Sequence, residues 1–515
     1  MMNKNHTRIT LSAFLVLNTL YLLLCWSLAG CTNNDKKSAM PLPNIVFIMA
    51  DDMGYGDAGC YNPDSKILTP NIDILASEGI RFTDAHTPAA LCTPTRYGLL
   101  TGRYCWRTRV KSGVILGYDE APLIEKGRTT LASLLKENGY HTACIGKWHL
   151  GMNWETNNGY VIQDDGNKWE DYSGVFRENE EHIDFTKPVS GGPTELGFDY
   201  FFGTLGCSTG DNPYCFIENN HTVGIPSVLL PDKWKGLPGV VTALMEPNWS
   251  MEEVDPVFTQ KAIDFIDRHV ADNPDNPFFL YLALSSPHIP FLPPDFTKGK
   301  SEEGPRGDLV MVADWSVGEI SKTLDKYGIT DNTLLIFTSD NGPRRGGNGH
   351  LSAGEFRGYK ANIWEGGHRV PFIARWPGQI DPGTVSSQTI SLTDMLSTFS
   401  NIAGHPQGKE SLEDSYNILP AFFGKQIDNP DDQVRVFHSG SGVFAVRKGK
   451  WKLIEGTKGS GSGNINLIRD SIEITGQLYD MEDDPYEKMD LYDKNPEIVK
   501  ELRIQLEQIK NREKY

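Results

Sequence analysis

A cysteine stands two residues ahead of a proline and four ahead of an arginine in Cys92-Thr93-Pro94-Thr95-Arg96. Pro94 is pre-set for the first turn of a helix, where its missing N–H costs nothing. Cys92 therefore falls at or just before a helix N-terminus, whose free N–H groups and positive dipole end favour an anion. Arg96 lies one turn on and can aim a planar fork of donors at the same anion. The pattern suits an oxyanion ester. Read alone, the same five residues also fit a buried cysteine near a helix start with a surface arginine.

Other candidates sit where apolar runs end. Asp51 and Asp52 follow the β-branched run Asn44 to Met49, and Asp340 and Asn341 follow Leu334 to Thr338. In an open α/β sheet, ligands bind at the carboxyl ends of strands. Three carboxylates and an amide oxygen make a hard, all-oxygen set that suits calcium or magnesium rather than zinc. The competing role for such residues is helix capping and turn formation. Lys147 and His149 end the strand Tyr140 to Ile145 and alternate, so they share a face. His288 follows the strand Phe278 to Leu284, and Lys360 opens Lys360-Ala361-Asn362-Ile363-Trp364-Glu365-Gly366-Gly367. His350 and Arg357 are looser candidates, better read as ordinary structural residues.

These residues need a scaffold. Thr69-Pro70 opens a helix ended by Gly79. Thr129 or Thr130 caps one carrying Leu131, Leu134 and Leu135. Pro256 to Val270 and Asp308 to Tyr327 read as amphipathic helices. Continuous apolar strands separated by helices predict a mostly parallel sheet covered on both faces. Tyr160 to Trp249 is irregular and reads as a substrate-side insertion. After about Ala403 the texture changes. Val434 to His438, Gly442 to Lys448 and Trp451 to Glu455 read as short strands, Gly456 to Gly463 as a loop, and Asn495-Pro496 starts a last helix. The expected organisation is a signal over 1–30, a tether over 31–43, a catalytic domain over 44–405 and a small α+β subdomain with an antiparallel sheet over 406–515.

Two longer strings carry a resemblance. Cys92 to Arg96 runs on through Leu99-Leu100-Thr101-Gly102-Arg103, and a second stretch spans Gly139 to Gly151, with Lys147-Trp148-His149 near its end. Together they resemble the two signatures of the formylglycine-dependent type I sulfatases, and the likeness extends from about Asn44 to the C-terminus. It implies an alkaline-phosphatase-like α/β fold. It also implies that a sulfatase-maturing enzyme oxidises Cys92 to formylglycine (3-oxoalanine). One calcium ion would be held by Asp51, Asp52, Asp340, Asn341 and the modified Cys92. The implied mechanism has the aldehyde hydrate, held by the metal and Arg96, attack sulfur in line. His288 protonates the departing oxygen. Lys147 and Lys360 bind the sulfuryl oxygens. His149 takes a proton from the second hydroxyl, expelling sulfate.

The 515-residue chain is 39% hydrophobic and 23% charged, an ordinary globular composition, with a net charge of −18. Lys4 and Arg8, the apolar run Leu11 to Leu24 and Leu28-Ala29-Gly30-Cys31 read as a secretory signal ending in a bacterial lipobox. The apolar run is shorter than a span of about 20 residues needs. Cleavage before Cys31 and lipidation of its thiol would anchor the chain at a membrane, in the periplasm or on the cell surface. Losing those two cations takes −18 to −20. Such a surface excludes nucleic acid as a partner and leaves anion binding to a local cluster. Of the eight cysteines, Cys207 and Cys215 could close a loop in an oxidising compartment.

For the substrate, Gly197 to Gly203, followed by Cys207 to Cys215 and Ile217-Glu218-Asn219, resembles the carbohydrate-acting sulfatases of the arylsulfatase A and N-acetylgalactosamine-6-sulfatase kind more than the simple aryl-acting ones. The expectation is an exo-acting enzyme on terminal sulfated galactose or N-acetylgalactosamine, with 6-O-sulfate preferred. Its aromatics could stack on sugar, and Glu218 or Asn219 could bond hydroxyls, though each singly is better read as part of an ordinary surface loop with core aromatics. One rival is an arylsulfatase or a phosphate or phosphonate ester hydrolase of the same superfamily. The other, of a different class, is an inactive lipoprotein that binds sulfated glycan, which would be expected to lack one of the site residues; none is missing.

Overall fold

Strand β1 (Asn44–Ala50) is apolar along its length because both of its faces are covered. Ile45, Phe47 and Met49 point into one core, and Val46, Ile48 and Ala50 into the other. The computed structural model describes residues 42–118, 121–162, 179–405, 413–455 and 476–512. The lipobox with Cys31, most of the tether, and the Gly456 to Gly463 loop lie outside the described residues. No helix among the described residues is long and apolar enough to cross a membrane.

The main sheet adds nine strands to β1: β2 (Ile80–Phe82), β3 (His141–Lys147), β4 (Tyr200–Thr204), β5 (Phe216–Glu218), β6 (His221–Val223), β7 (Phe278–Ala283), β8 (Thr333–Ser339), β9 (Phe372–Arg375) and β10 (Thr384–Ser386). Their order is β10-β2-β9-β8-β1-β7-β3-β4-β5-β6. The middle five, β8 to β4, are parallel, so their carboxyl ends form one edge. Antiparallel pairs flank them on both sides. The α/β reading holds, with one correction. β4 lies inside the stretch read as a substrate-side insertion. Phe201 and Phe202 are core residues on opposite faces rather than sugar platforms.

Helices α1 (Pro70–Ser77), α4 (Val254–Asp272) and α5 (Pro305–Lys326) cover one face. Helices α2 (Cys92–Thr101) and α3 (Leu131–Glu137) lie on the other. Thr130 caps α3 reciprocally with Ser133, whereas Thr69 gives α1 no side-chain cap. Helix α5 starts three residues before the expected Asp308, because Pro305 can occupy its first turn without a donor.

A second sheet of four antiparallel strands follows: β11 (Val434–His438), β12 (Phe444–Lys448), β13 (Trp451–Glu455) and β14 (Gly476–Asp480). One face packs on the last helix, α6 (Pro496–Lys510), through Val499, Leu502 and Leu506. The other packs on Ile363 and Trp364. The first strand also docks on the segment before α2, with Ala90 N–H donating to His438 O at 3.0 Å.

His438 is buried there, its ring Nδ1 donating to Ser439 O at 3.1 Å. Burial pushes its imidazole down to about 4 from an ordinary 6.5. The unfolded chain therefore takes up this proton at a higher pH than the folded one does. Its effect is nil above 6.5 and becomes a loss of stability as pH falls from 6.5 through 4. That difference is worth about 3 kcal/mol. In urea unfolding, His438→Gln is expected to lose less stability than the parent between pH 6.5 and 4; equal slopes would contradict this.

Candidate active site

The carboxyl edge of the parallel strands gathers the candidates. Asp51 and Asp52 follow β1, Lys147 ends β3, and Asp340 and Asn341 follow β8. One carboxylate oxygen from each of Asp51, Asp52 and Asp340 lies within 4.8 Å of the others. Cys92 is the first residue of α2, whose ten residues are all buried, so its N-terminal N–H groups end in the interior. Arg96, fully buried, donates to Asp340 Oδ2 from Nε at 3.1 Å and from Nη2 at 2.7 Å. Its Nη1 reaches Lys147 O at 2.9 Å. This arginine therefore ties α2 to β3 and β8 at once.

Lys147 is buried and donates to Asp51 Oδ2 at 2.6 Å. Gly146 beside it has φ of +116°, and a Cβ there would stand 1.9 Å from Ala283 O on β7. Only glycine allows this approach of the backbones. The strand has ended by His149, whose φ is +59°. The alternation argument for a shared face of Lys147 and His149 therefore fails, though both side chains reach the cluster. His149 Nε2 donates to Ile115 O at 2.6 Å, leaving Nδ1 as a buried lone pair without a hydrogen-bond partner. His288 donates Nδ1–H to Ile289 O at 2.7 Å, so Nε2 faces the site. Asp255 steadies its loop by accepting from Ser285 N at 2.8 Å and Ser286 N at 2.7 Å. Lys360 bonds Asp52 Oδ1 at 2.5 Å.

These charges shift one another. Burial raises the Cys92 thiol, but Cys207, Lys147, His149 and Lys360 outweigh it and hold it well below its ordinary value. Burial likewise opposes ionisation of Asp51 and Asp52, yet Lys147 and Lys360 keep both low. Asp340 is pushed up to about 8 by burial and by Asp51. Burial and Lys360 push His288 down to about 4.

The donor set fits a hard divalent cation. Asp51 Oδ1, Asp52 Oδ2 and Asn341 Oδ1 are buried acceptors without a hydrogen-bond partner. Unsatisfied buried oxygens cost about 1–3 kcal/mol each, more when charged, so three together call for a cation. All are oxygens, which suits calcium or magnesium.

Other residues fall elsewhere. His350 bonds Asp57 at 2.9 Å beside Arg306, and Arg357 packs over Trp364 and bonds Tyr479 at 3.1 Å, so both serve the framework. Glu218 is taken up by Tyr200 and Lys261, and Asn219 by the backbone of Phe201. Neither joins the cluster. The sequence reading left Cys207 out of the catalytic cluster, taking it as a possible partner of Cys215 and part of the substrate-side segment. Its Sγ accepts from Lys147 Nζ at 3.0 Å and lies 3.7 Å from His288 Nε2. Cys207 and Cys215 are both free thiols. The available signal was position: Cys207 stands just past the carboxyl end of β4.

A mostly parallel sheet with an acidic cage and a cationic cluster at its carboxyl edge is an alkaline-phosphatase-like fold. The Sulfatase family model matches residues 43–405, and the C-terminal model of N-sulphoglucosamine sulphohydrolase matches 354–512. An N-acetylgalactosamine-6-O-sulfatase of Bacteroides thetaiotaomicron is 33% identical over 531 residues, covering 94% of this chain and 97% of that protein. Human arylsulfatase A is 33% identical over 496 residues, covering 90% and 86%. A solved structure from work on glycosaminoglycan metabolism by Bacteroides thetaiotaomicron matches with a TM-score of 0.75 at 32% identity, covering 91% of this chain and 99% of that one. The chain belongs to the sulfatase family and is a sulfuric ester hydrolase.

Proposed function

We propose that the chain is an exo-acting glycan sulfatase that removes 6-O-sulfate from terminal galactose or N-acetylgalactosamine. The activity named for its Bacteroides relative supports the sugar and the position. The carrying observation for the chemistry is the seat of Cys92: a buried helix N-terminus beside Lys147, Lys360 and the Asp51, Asp52 and Asp340 cage. Oxidation of Cys92 to formylglycine by a maturing enzyme would place a hydrated aldehyde there, with two hydroxyls on one carbon. Asp51, Asp52, Asp340 and Asn341 would hold calcium, which supplies positive charge to sulfuryl oxygens. Lys147 and Lys360 supply donors where negative charge grows on those oxygens. With the negative charge of a bound sulfate group favouring its protonated form, His288 Nε2 would hand a proton to the departing sugar oxygen, and His149 Nδ1 would accept one at residue 92. Arg96 fixes the cage by fork bonding to Asp340. Lipidation at Cys31 would tether the enzyme outside the cytoplasm, where sulfated glycans are met.

Desulfation of 3-, 4- and 6-O-sulfated galactose and N-acetylgalactosamine, beside an aryl sulfate, tests this reading. The 6-O-sulfated sugars are expected to show the highest kcat/KM. An aryl ester has no ring hydroxyls to bond, and the binding energy those hydroxyls supply also lowers the barrier. An aryl ester turned over far faster than every sugar would overturn the glycan assignment. A different preferred position would overturn only the 6-O choice.

A further inference from the structure

Cys207 is the one group at the cluster without a task in the reaction above. A hydroxyl in its place would serve the bond from Lys147 equally well, so sulfur needs a chemical reason. The sulfurs of Cys92 and Cys207 and a ring nitrogen of His149 all lie within 4.8 Å of one another. Both cysteines are free, at 2% and 6% exposure. Their backbones are also fixed. Cys92 opens a buried helix, and Cys207 N–H donates to Asp211 Oδ2 at 2.8 Å while its carbonyl accepts from Gly210 and Asp211. From that separation the two sulfurs must close to an S–S bond of about 2 Å.

We propose that Cys92 and Cys207 form a disulfide in any folded chain whose Cys92 has not been converted to the aldehyde. The oxidant is a disulfide-carrying compound or protein of the oxidising compartment. One cysteine thiolate attacks a sulfur of the oxidant, forming a mixed disulfide and releasing one thiol. The second cysteine then attacks its neighbour's sulfur, forms the Cys92–Cys207 bond and expels the second thiol. Two electrons and two protons pass to the oxidant. The product occupies the place of the sulfuryl group and consumes the thiol that maturation needs, so a late chain is withdrawn rather than left reactive. The inference rests on the proposed function in taking aldehyde formation as the alternative fate of Cys92 and export as what brings the chain to the oxidant; the bond itself rests on the placement of the two sulfurs.

The test uses the full chain made in a host without maturing activity. It is incubated with oxidised glutathione, denatured, alkylated with iodoacetamide and digested without reductant. The peptides carrying Cys92 and Cys207 are expected as one linked species, with alkylation of Cys92 at least fivefold below that of the Cys207→Ser chain. Cys207→Ala, checked by its melting curve, guards against a misfolded serine variant. Full alkylation of both cysteines in the parent, or linkage of Cys92 to other cysteines as often, would overturn the proposal. A parallel preparation with the maturing enzyme should yield an aldehyde at 92 and a free Cys207. A missing aldehyde there would count against the proposed function and leave the disulfide standing.

Discussion

Cys92→Ala is expected to lower turnover of every sulfate ester on the order of 10^4–10^6-fold, the scale of loss when a reaction's own nucleophile is removed. The fold should survive, because the change removes one sulfur from a helix held elsewhere by Arg96 and by its apolar face. The melting temperature is accordingly expected to stay within a few degrees. The companion measurement is peptide mass analysis of active protein, which should show residue 92 carrying an aldehyde in place of a thiol. Fully active enzyme with an intact thiol at 92 would sink the chemistry proposed above. Protein made without the maturing enzyme should resemble the alanine variant in rate.

The acidic cage carries the second large effect. Asp340→Asn keeps the shape and removes a carboxyl that a bound cation would hold ionised, and Arg96 then loses the oxygen that its Nε and Nη2 share. Breaking a buried pair from one side costs about 3–5 kcal/mol. A loss of that size in transition-state stabilisation is roughly 10^2–10^4-fold in rate. Asp51→Asn should act similarly, since it frees Lys147 from its 2.6 Å partner. Chelation of the parent should abolish turnover and lower the melting temperature, because an ion that binds only the folded chain stabilises it by mass action. Added calcium should restore both. Undiminished activity in protein shown to hold no metal would refute the cage as a cation site.

Much of this site was legible because its residues stand at the ends of apolar runs. A strand buried on both faces announces itself as a continuous β-branched stretch, and its last residue marks the catalytic edge. Asp51, Asp52, Asp340 and Asn341 stand out that way. Pro94 announces the helix start that seats Cys92. Four things stayed hidden for physical reasons. β4 is aromatic rather than β-branched, so Tyr200 to Gly203 looks like a surface for sugar instead of a core strand. Cys207, three residues beyond it, consequently reads as a partner for Cys215. The turn that lifts His149 into the left-handed region has no sequence signal beyond Gly146 and Gly151 around it. Short antiparallel strands such as Ile80–Phe82 and Phe372–Arg375 are too brief for their period to show.

The docking of β11 on the segment before Cys92 also has a meaning in time. Cys92 is 2% exposed once that strand is in place. From the other side of the same sheet, Lys452 enters the interior to bond Glu365 at 2.8 Å and Ile363 O at 3.1 Å, just beyond Lys360. The backbone ahead of Cys92 is thus held by a strand made more than three hundred residues after it. At about 5–20 residues per second, the stretch from Cys92 to the end takes roughly 20–80 s to synthesise. That interval is the period in which a partner could handle the Cys92 side chain in the open. Docking of β11 on the segment before Cys92 ends that period, so the C-terminal sheet sets a clock on the biogenesis of this chain.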